Sequence, residues 1–467
     1  MEQYIDELKI PGQPQNKMGY QPEGKLLFSM GLPLCLSMLI QALYNIVDSV
    51  FVSYLGENAL TAVSLAYPMV MLMISVSVGT GVGINSLISR RLGAHRLQDA
   101  EKAAANGLVL MLLSSLVFVL FGLFGVRPFM EAYTDIAEIS EMGTTYLSIC
   151  CVLCVGVFVQ IFCERIMQAQ GKNTVAMFMQ LIGAVINIIF DPILIFGLLG
   201  FPRMGIAGAA VATVAGQLIA MVFSLILAFG KHSEVKISLR GYRMDGRIVR
   251  EIYQVGLPAV VMQGVGTVMN LLMNVILIGF TETAVAVFGV YFKVQSFAIM
   301  PLLGVSNASM SIEAYNYGAR NKERLMRTWR LTLRVGLIMM ILFCGVFVLL
   351  PDQILSLFNA SDDMLRIGRA ALTIMPLALP LAAGNISMSV VFQAVGNGFY
   401  SMLLSLARQL IVLVPVAWVL AKVTGEVTAV WWALPIAEVF ALVLCVIFFR
   451  RTYRTHIAPL SEPAEVA

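Results

Sequence analysis

Charge is scarce in this chain. Asp, Glu, Lys and Arg make up 12% of its 467 residues, against 59% hydrophobic residues, too little charge to cover the surface of a soluble protein of that size. Histidine is scarcer still: His95, His232 and His456 are the only three, and all fall in expected loops or the tail. That excludes a helical His pair for zinc or haem and a histidine that activates a nucleophile. The glycine-rich run Gly79-Thr-Gly-Val-Gly83 lacks a preceding strand and a following Lys-Ser or Lys-Thr, so it is no phosphate-binding loop, and ATP has no place to act directly. Small residues in an apolar helix suit close helix packing instead. The seven cysteines all lie in apolar stretches. The adjacent Cys150 and Cys151, with Cys154 close by in the same helix, point about 100° apart, and soft apolar thiols are common in packed interiors, so neither a metal site nor a redox pair is expected. Short alternating strands are also missing, which leaves no material for a membrane barrel. Neither enzyme chemistry nor a resident cofactor is expected.

Long apolar runs are plentiful. Twelve are long enough to cross about 30 Å of hydrocarbon at roughly 20 helical residues each. They lie near 26–54, 60–88, 104–126, 143–168, 174–199, 205–229, 251–279, 284–312, 329–350, 368–394, 400–421 and 428–449. Lipid offers no partner for backbone groups, so these runs must be helices. The expected fold is an all-α polytopic membrane protein of twelve transmembrane helices. The hydrophilic start, residues 1–25, runs directly into a span too long for a signal-peptide core, so no cleavage is expected.

The chain is written twice. Gly31-Leu32-Pro33 returns as Gly256-Leu257-Pro258, and Leu92-Gly93-Ala94 is echoed by Tyr317-Gly318-Ala319, both at an offset of 225. The same offset carries Asn45 onto Asn270, Glu57 onto Glu282, Gly79 onto Gly304 and Gln168-Ala169 onto Gln393-Ala394. Two homologous six-helix bundles are a common plan for secondary transporters. The expected division is a leading segment 1–25, a first lobe 26–230, a basic linker 231–250, a second lobe 251–449 and a tail 450–467.

Basic residues sort to one side. Arg90, Arg91, Arg96 and Lys102 follow helix 2, Lys231, Lys236, Arg240, Arg243, Arg247 and Arg250 follow helix 6, and Arg320, Lys322, Arg324 and Arg327 follow helix 8. The opposite loops are acidic or nearly neutral, as in Glu131, Asp135, Glu138 and Glu141. By the positive-inside rule both termini are cytoplasmic, in an inner (plasma) membrane. The same rule accounts for the basic clusters without nucleic acid as a partner. An even number of helices per half gives the repeats one orientation, related by an axis along the membrane normal.

Acids inside the spans carry the functional signal, because an ionisable group in hydrocarbon is costly unless it meets water or a partner. Asp48 shares a helical face with Gln41, Tyr44 and Asn45. Asn187 stands four residues before Asp191 in Asn187-Ile-Ile-Phe-Asp191-Pro192, stacking amide over carboxyl. Pro192 cannot donate to the carbonyl of Ile188, so a kink and a bare oxygen are expected beside the acid. Asp48, Asn187 and Asp191 thus offer an oxygen nest for Na⁺, or a carboxyl pair that carries a proton. Helix-to-helix hydrogen bonding is the plainer alternative. Gln160, Glu164 and Gln168 form a second polar stripe in helix 4. Glu164 either attracts cationic cargo or pairs with Arg165 at the membrane surface. In the second half, Gln263, Asn270 and Asn274 line helix 7, Asn385, Ser389 and Gln393 line helix 10, and Glu438 lies in helix 12 where the first repeat has Thr213. Lys293 and Arg408 are both open as its partner.

The repeated Gly-Leu-Pro starts, Asp48, the Ser-Arg-Arg-Leu-Gly-Ala and Ala-Tyr-Asn-Tyr-Gly-Ala turns, Gln168-Ala-Gln-Gly171, the Asn187–Asp191 segment and Gly205-Ile-Ala-Gly-Ala-Ala-Val-Ala-Thr213 together resemble the MATE (multidrug and toxic compound extrusion) transporters, most nearly their DinF and MepA branch. The resemblance covers about 24–450 and implies a twelve-helix, two-lobed antiporter exporting organic cations against Na⁺ or H⁺. It further implies a coupling site of Asp48, Asn187 and Asp191 with Thr213 and Tyr146, and a helix-4 acid matching Glu164. One departure is that Met310-Ser311 replaces the Gln-Pro many relatives carry. The expected cargo surface comprises Gln41, Tyr44, Asn45, Gln160, Glu164, Asn270, Met273, Asn274, Gln393 and Glu438. Asn270, Met273, Asn274 and Gln393 lead that set, because the repeat offset places Met273, Val412 and Val416 where the first lobe has Asp48, Asn187 and Asp191. Expected partners are small lipophilic cations and membrane lipids, with the chain acting as a monomer. The alternative is a flippase for lipid-linked precursors, a class more often built from fourteen spans around a cationic cavity.

Overall fold

The computed structural model describes residues 16–230, 233–238, 242–358 and 360–460, apart from the side chains of Tyr44, Asn45, Ile46, Ser49 and Ser53. Lys231, His232 and Arg240 lie outside the described residues. All regular structure among the described residues is helical. Eleven helices are long and apolar enough to cross a bilayer, and one bent pair supplies a twelfth. They are α1 (Glu23–Ser53), α2 (Glu57–Gly93), α3 (Leu97–Phe124), α4 (Ala137–Val152 and Val155–Ala169, bent by 45°), α5 (Asn173–Phe196), α6 (Ile206–Phe229), α7 (Gly246–Ile278), α8 (Glu282–Gly318), α9 (Lys322–Leu349), α10 (Asp362–Ala394), α11 (Gly398–Thr424) and α12 (Val427–Ile457). The protein is an all-helical, multi-pass membrane protein. Short helices at Val126–Tyr133 and Pro351–Ser356 follow α3 and α9.

The 225-residue repeat reaches into the geometry. Both limits of α2 map onto those of α8, and both limits of α3 map onto those of α9. The break in α4 after Val152 has its counterpart in the 3₁₀ turn Met375–Leu377 inside α10. Even the tight turns match: His95 and Arg320 hold left-handed φ of 58° and 57°, and Gly171 and Gly396 hold 77° and 89°. A left-handed residue lets the chain reverse within a few positions.

Helix starts are written locally. Thr281 caps α8 by accepting from the Ala284 amide, Asn321 caps α9 through Arg324, and Ser361 caps α10 through Met364. These bonds satisfy amides that the first turn leaves open. Pro33, Pro68, Pro192, Pro258 and Pro301 lie inside helices that continue past them, as surrounding helices allow in membrane proteins. In α11 the backbone widens into a π-helical stretch, Ala407–Leu413, just before Pro415, where proline withholds the next amide.

The chain forms two compact units. One is Leu36–Val260, and the other joins the chain up to Cys35 with the chain from Val261 onward. Their limits fall inside α1 and α7, whereas the lobes expected from sequence, 26–230 and 251–449, part at the loop 231–250. The cause is a symmetrical exchange of helix starts. In the first unit Gly79 of α2 lies against α7, where an added Cβ would sit 2.6 Å from the Val260 nitrogen, and Gly83 abuts the Ile252 carbonyl. In the second, Gly304 of α8 lies against α1, where a Cβ would sit 2.6 Å from the Cys35 nitrogen. Gly79 and Gly304 are repeat mates, so each repeat's second helix receives the opening helix of the other. The glycine run thus does pack helices.

Candidate functional site

The first unit brings together residues from four helices. Asp191 of α5 is fully buried and Asn187, one turn earlier, is 2% exposed. The Asn187 amide is satisfied with its nitrogen donating to Asp191 Oδ2 at 2.8 Å and its oxygen accepting from Thr213 Oγ1 and the Thr213 amide of α6, both at 3.1 Å. Asp191 Oδ1 is buried without a donor among the described residues. The carboxyl of Asp48 on α1 lies within electrostatic reach of Asp191. On the broken helix α4, Tyr146 is 8% exposed in the core cluster that also holds Val52 and Ala209–Ala210. Cys150, one turn further on, belongs to the same cluster. All five residues named from sequence as cation-coupling candidates therefore converge in one unit. Pro192 follows the acid, so Ile188 lacks its usual helical donor at this level.

The site opens onto a cavity of about 200 Å³ lined by Asp48, Val52, Leu60, Val63, Ser64 and Tyr67. Leu60, Val63, Ser64 and Tyr67 belong to the first turns of α2, past the Gly56 reversal, whose φ of 105° suits glycine alone. This places the mouth beside the α1–α2 turn. Sequence reasoning missed these lining residues, because an apolar stretch broken by one serine and one tyrosine carries no signal of its own.

The helix-4 stripe is present but differently connected. Gln160 donates to Glu164 Oε1 at 3.0 Å and Arg165 donates to Gln168 Oε1 at 3.0 Å. Glu164 and Arg165 are 7% and 6% exposed, and no ion pair joins them among the described residues. Both are buried groups, not a surface pair. Gln41 accepts from Gln180 of α5 at 3.3 Å. The side chains of Tyr44 and Asn45 lie outside the described residues.

In the second unit, the α7 stripe Gln263, Thr267, Asn270 and Asn274 is exposed or half-buried at helical spacing, with Asn270 donating to the Gly266 carbonyl at 3.0 Å. Gln393 reaches Met262 Sδ at 4.0 Å. Met273 departs from expectation: it is 2% exposed inside the core cluster with Met269, Leu277 and Phe288. One position along a helix turns a side chain by about 100°, which takes Met273 off the face that Asn270 and Asn274 share and into the core. Glu438 is engaged on both oxygens, Oε1 by Arg408 at 2.8 Å and Oε2 by Asn385 at 2.7 Å. The partner left open by sequence is thus Arg408, on the π-helical stretch of α11, while Lys293 is exposed. Sequence reasoning also overlooked Glu313, fully buried in α8. The expected span ended at 312, so this acid was never weighed as a charge inside a helix bundle.

Two repeats of membrane-spanning helices, with a carboxyl pair sunk in one of them, define a membrane transporter rather than an enzyme. The MatE family model matches residues 33–193 and again 258–419, two matches whose starts stand one repeat apart, and the chain belongs to this family of transporters. Among curated proteins it is 26% identical to the multidrug export protein MepA of Staphylococcus haemolyticus, over 89% of this chain and 90% of that one. It is 25% identical to a FAD transporter of Shewanella oneidensis, over 91% and 94%. Among solved structures it is similar to an outward-facing multidrug resistance MATE transporter of the MOP superfamily, with a TM-score of 0.89 at 26% identity over 96% of this chain and 99% of that one. A MOP superfamily transporter from Pyrococcus furiosus, described as having a binding pocket of reverse polarity, gives 0.88 at 26% identity over 96% and 98%.

Proposed function

We propose that the protein is a cation-coupled antiporter that exports multiple drugs or other lipophilic organic cations, with the Asp48–Asp191 pair as the coupling group. The observation that carries this reading is the pairing of a fully buried Asp191, braced by Asn187 and Thr213, with an Asp48 that lines a cavity in the same unit. The cluster of two carboxyls, Asn187 and Thr213 takes either H⁺, shared between the carboxyls, or Na⁺, held by their oxygens, as the coupling ion. Emptying the pair leaves two like charges facing each other in a low-dielectric site, and this repulsion ties release of the ion to a change of conformation. Alternating access then exposes the pair and the cargo surface to each side of the plasma membrane in turn, with cytoplasmic termini and a single chain sufficing. Lobe one holds the ion. The half-exposed amides Asn270, Asn274 and Gln393 of lobe two meet the cargo, with Gln41, Gln160 and Glu164 contributing from lobe one.

Purified protein in vesicles loaded with ethidium tests this. Efflux should follow an imposed pH gradient, with a Na⁺ gradient imposed separately as the second arm, and Asp48→Asn and Asp191→Asn should each abolish it while the protein stays folded. Near-normal gradient-driven efflux by either variant would falsify the assignment.

A further inference from the structure

The second unit, which has no counterpart of Asp48 or Asp191, nevertheless buries two acids among the described residues, Glu438, paired with Arg408, and Glu313. Glu313 of α8 is 0% exposed. Its Oε1 accepts from Ser309 Oγ at 2.6 Å, one turn earlier, and Ser309 in turn accepts from Thr332 Oγ1 of α9 at 2.7 Å. Oε2 is buried with no partner among the described residues. Among the described residues no ion pair reaches the carboxyl, and the Ser309 hydroxyl is the donor that does. Among the described residues, the charged groups on the elements packed on α8 are bound to other partners or exposed, apart from Lys17 of the short helix Lys17–Tyr20, which is half-buried and engaged; Lys25 of α1 is exposed. On α9, Arg324 binds Glu23 and the Met18 and Gln21 carbonyls, Arg327 binds Glu323, and Arg330 and Arg334 are exposed, two positions to either side of Thr332. On α10, Arg366 and Arg369 bind Asp363 and Asp352, and its second part, Ala378–Ala394, carries no charge. From the short helix Lys17–Tyr20, the Met18 carbonyl goes to Asn316.

A carboxylate with one neutral donor and no counter-charge is among the most costly groups to bury. The two hydroxyls spend their hydrogens along a single chain that ends on Oε1, so they serve as donors and do not form the oxygen shell a metal ion needs. What completes the site is H⁺ on Oε2. We propose that Glu313 is a second proton-carrying carboxyl, in the other unit from the Asp48–Asp191 pair, taking up and releasing one H⁺ in each transport cycle. Release breaks the O–H bond at Oε2 and hands the proton to water that enters as α8 and α9 part at Ser309 and Thr332. Uptake reverses the step, and no other bond changes. The Thr332–Ser309–Glu313 chain crosses from α9 to α8, so it couples the charge on the acid to the contact between these helices. The role in transport rests on the antiport reading above, whereas the protonation of Glu313 stands apart from it.

The test uses the full chain in lipid vesicles, isotope-labelled at glutamate carboxyls, and follows the infrared C=O stretch of protonated glutamate without cargo while pH is raised. A band that disappears with rising pH, is missing in Glu313→Gln, survives in Asp48→Asn and shifts its midpoint in Ser309→Ala is the expected result. In the transport arm, Glu313→Gln should still export cargo but carry one H⁺ fewer per cargo than the unaltered protein. A glutamate band that never titrates, or an unchanged H⁺ count in Glu313→Gln, overturns the proposal. Should Glu313→Gln fail to fold, Ser309→Ala and Thr332→Val decide by the band's midpoint, and an unshifted midpoint in both overturns it. If the unaltered protein moves no H⁺ with cargo while the band titrates normally, it is H⁺ coupling at the carboxyl pair that fails, together with the carrier role assigned to Glu313.

Discussion

Replacing Glu438 by leucine should cost far more than replacing Glu438 and Arg408 together. In the native protein Arg408 donates to Glu438 at 2.8 Å and Asn385 donates at 2.7 Å, with the two charged side chains 23% and 11% exposed. Glu438→Leu strands the guanidinium among apolar helices, worth about 3 kcal/mol for a cation at membrane depth. It also costs the Asn385 amide its bond to the carboxyl, leaving only the longer one to the residue-438 carbonyl at 3.3 Å, for about 1 kcal/mol more. The sum of about 4 kcal/mol corresponds to a drop of roughly 10 °C in melting temperature for a unit of this size. Arg408→Met with Glu438→Leu removes both charges at similar volume and should recover all but the Asn385 part, about 1 kcal/mol. The assay is thermal unfolding in detergent of the native protein, both single variants and the double, closed as a double-mutant cycle. Additive effects, or a single variant that melts within a degree or two of the native protein, would refute the reasoning, for then the pair is already solvated and its burial has been misread.

Asn274→Ala should change which compounds are exported while the ion requirement persists, and Met273→Leu, a volume-conserving swap in the core, should change neither by more than a small factor. Efflux of a panel of dyes under one fixed gradient reads both. Gly304→Ala places a methyl 2.6 Å from the Cys35 nitrogen and should cost about 1–3 kcal/mol, whereas Gly264→Ala meets nothing within 4 Å and should gain about 0.5–1 kcal/mol; melting curves that ranked the two alike would count against the exchanged helix packing. Two acids at the proposed coupling site predict that more than one monovalent ion moves per monovalent cargo, so a membrane potential imposed with K⁺ and valinomycin at zero pH and Na⁺ gradient should drive efflux, worth about 2.3 kcal/mol per net charge per 100 mV. No response to that potential would indicate one-for-one exchange.

The sequence by itself determined the helices, their number and their doubling, because lipid dictates the length and apolarity of a span and the 225-residue offset is written in the residues themselves. It also named Asp48, Asn187 and Asp191 as the residues now proposed for coupling. Asn187 and Asp191 are bound to one face by the helical repeat, and an acid in hydrocarbon declares itself by its cost, so Asp48 needed no structure to be noticed. What tertiary structure decided was every relation between helices. Nothing in the chain says that the start of α1 packs with the second repeat and that of α7 with the first, because a glycine reports that something comes close and not which helix it is. The choice of Arg408 over Lys293 as partner of Glu438 depended on the π-helical stretch before Pro415, which shifts the helical phase in a way no regular periodicity conveys. Met273 was misplaced for a related reason: neighbouring positions on α7 differ by about 100°, and only the packed core shows which of them faces inward. Glu313 stayed unseen because a span's end is blurred in sequence, and a lone acid there reads as an interfacial charge until α9 is found lying over it.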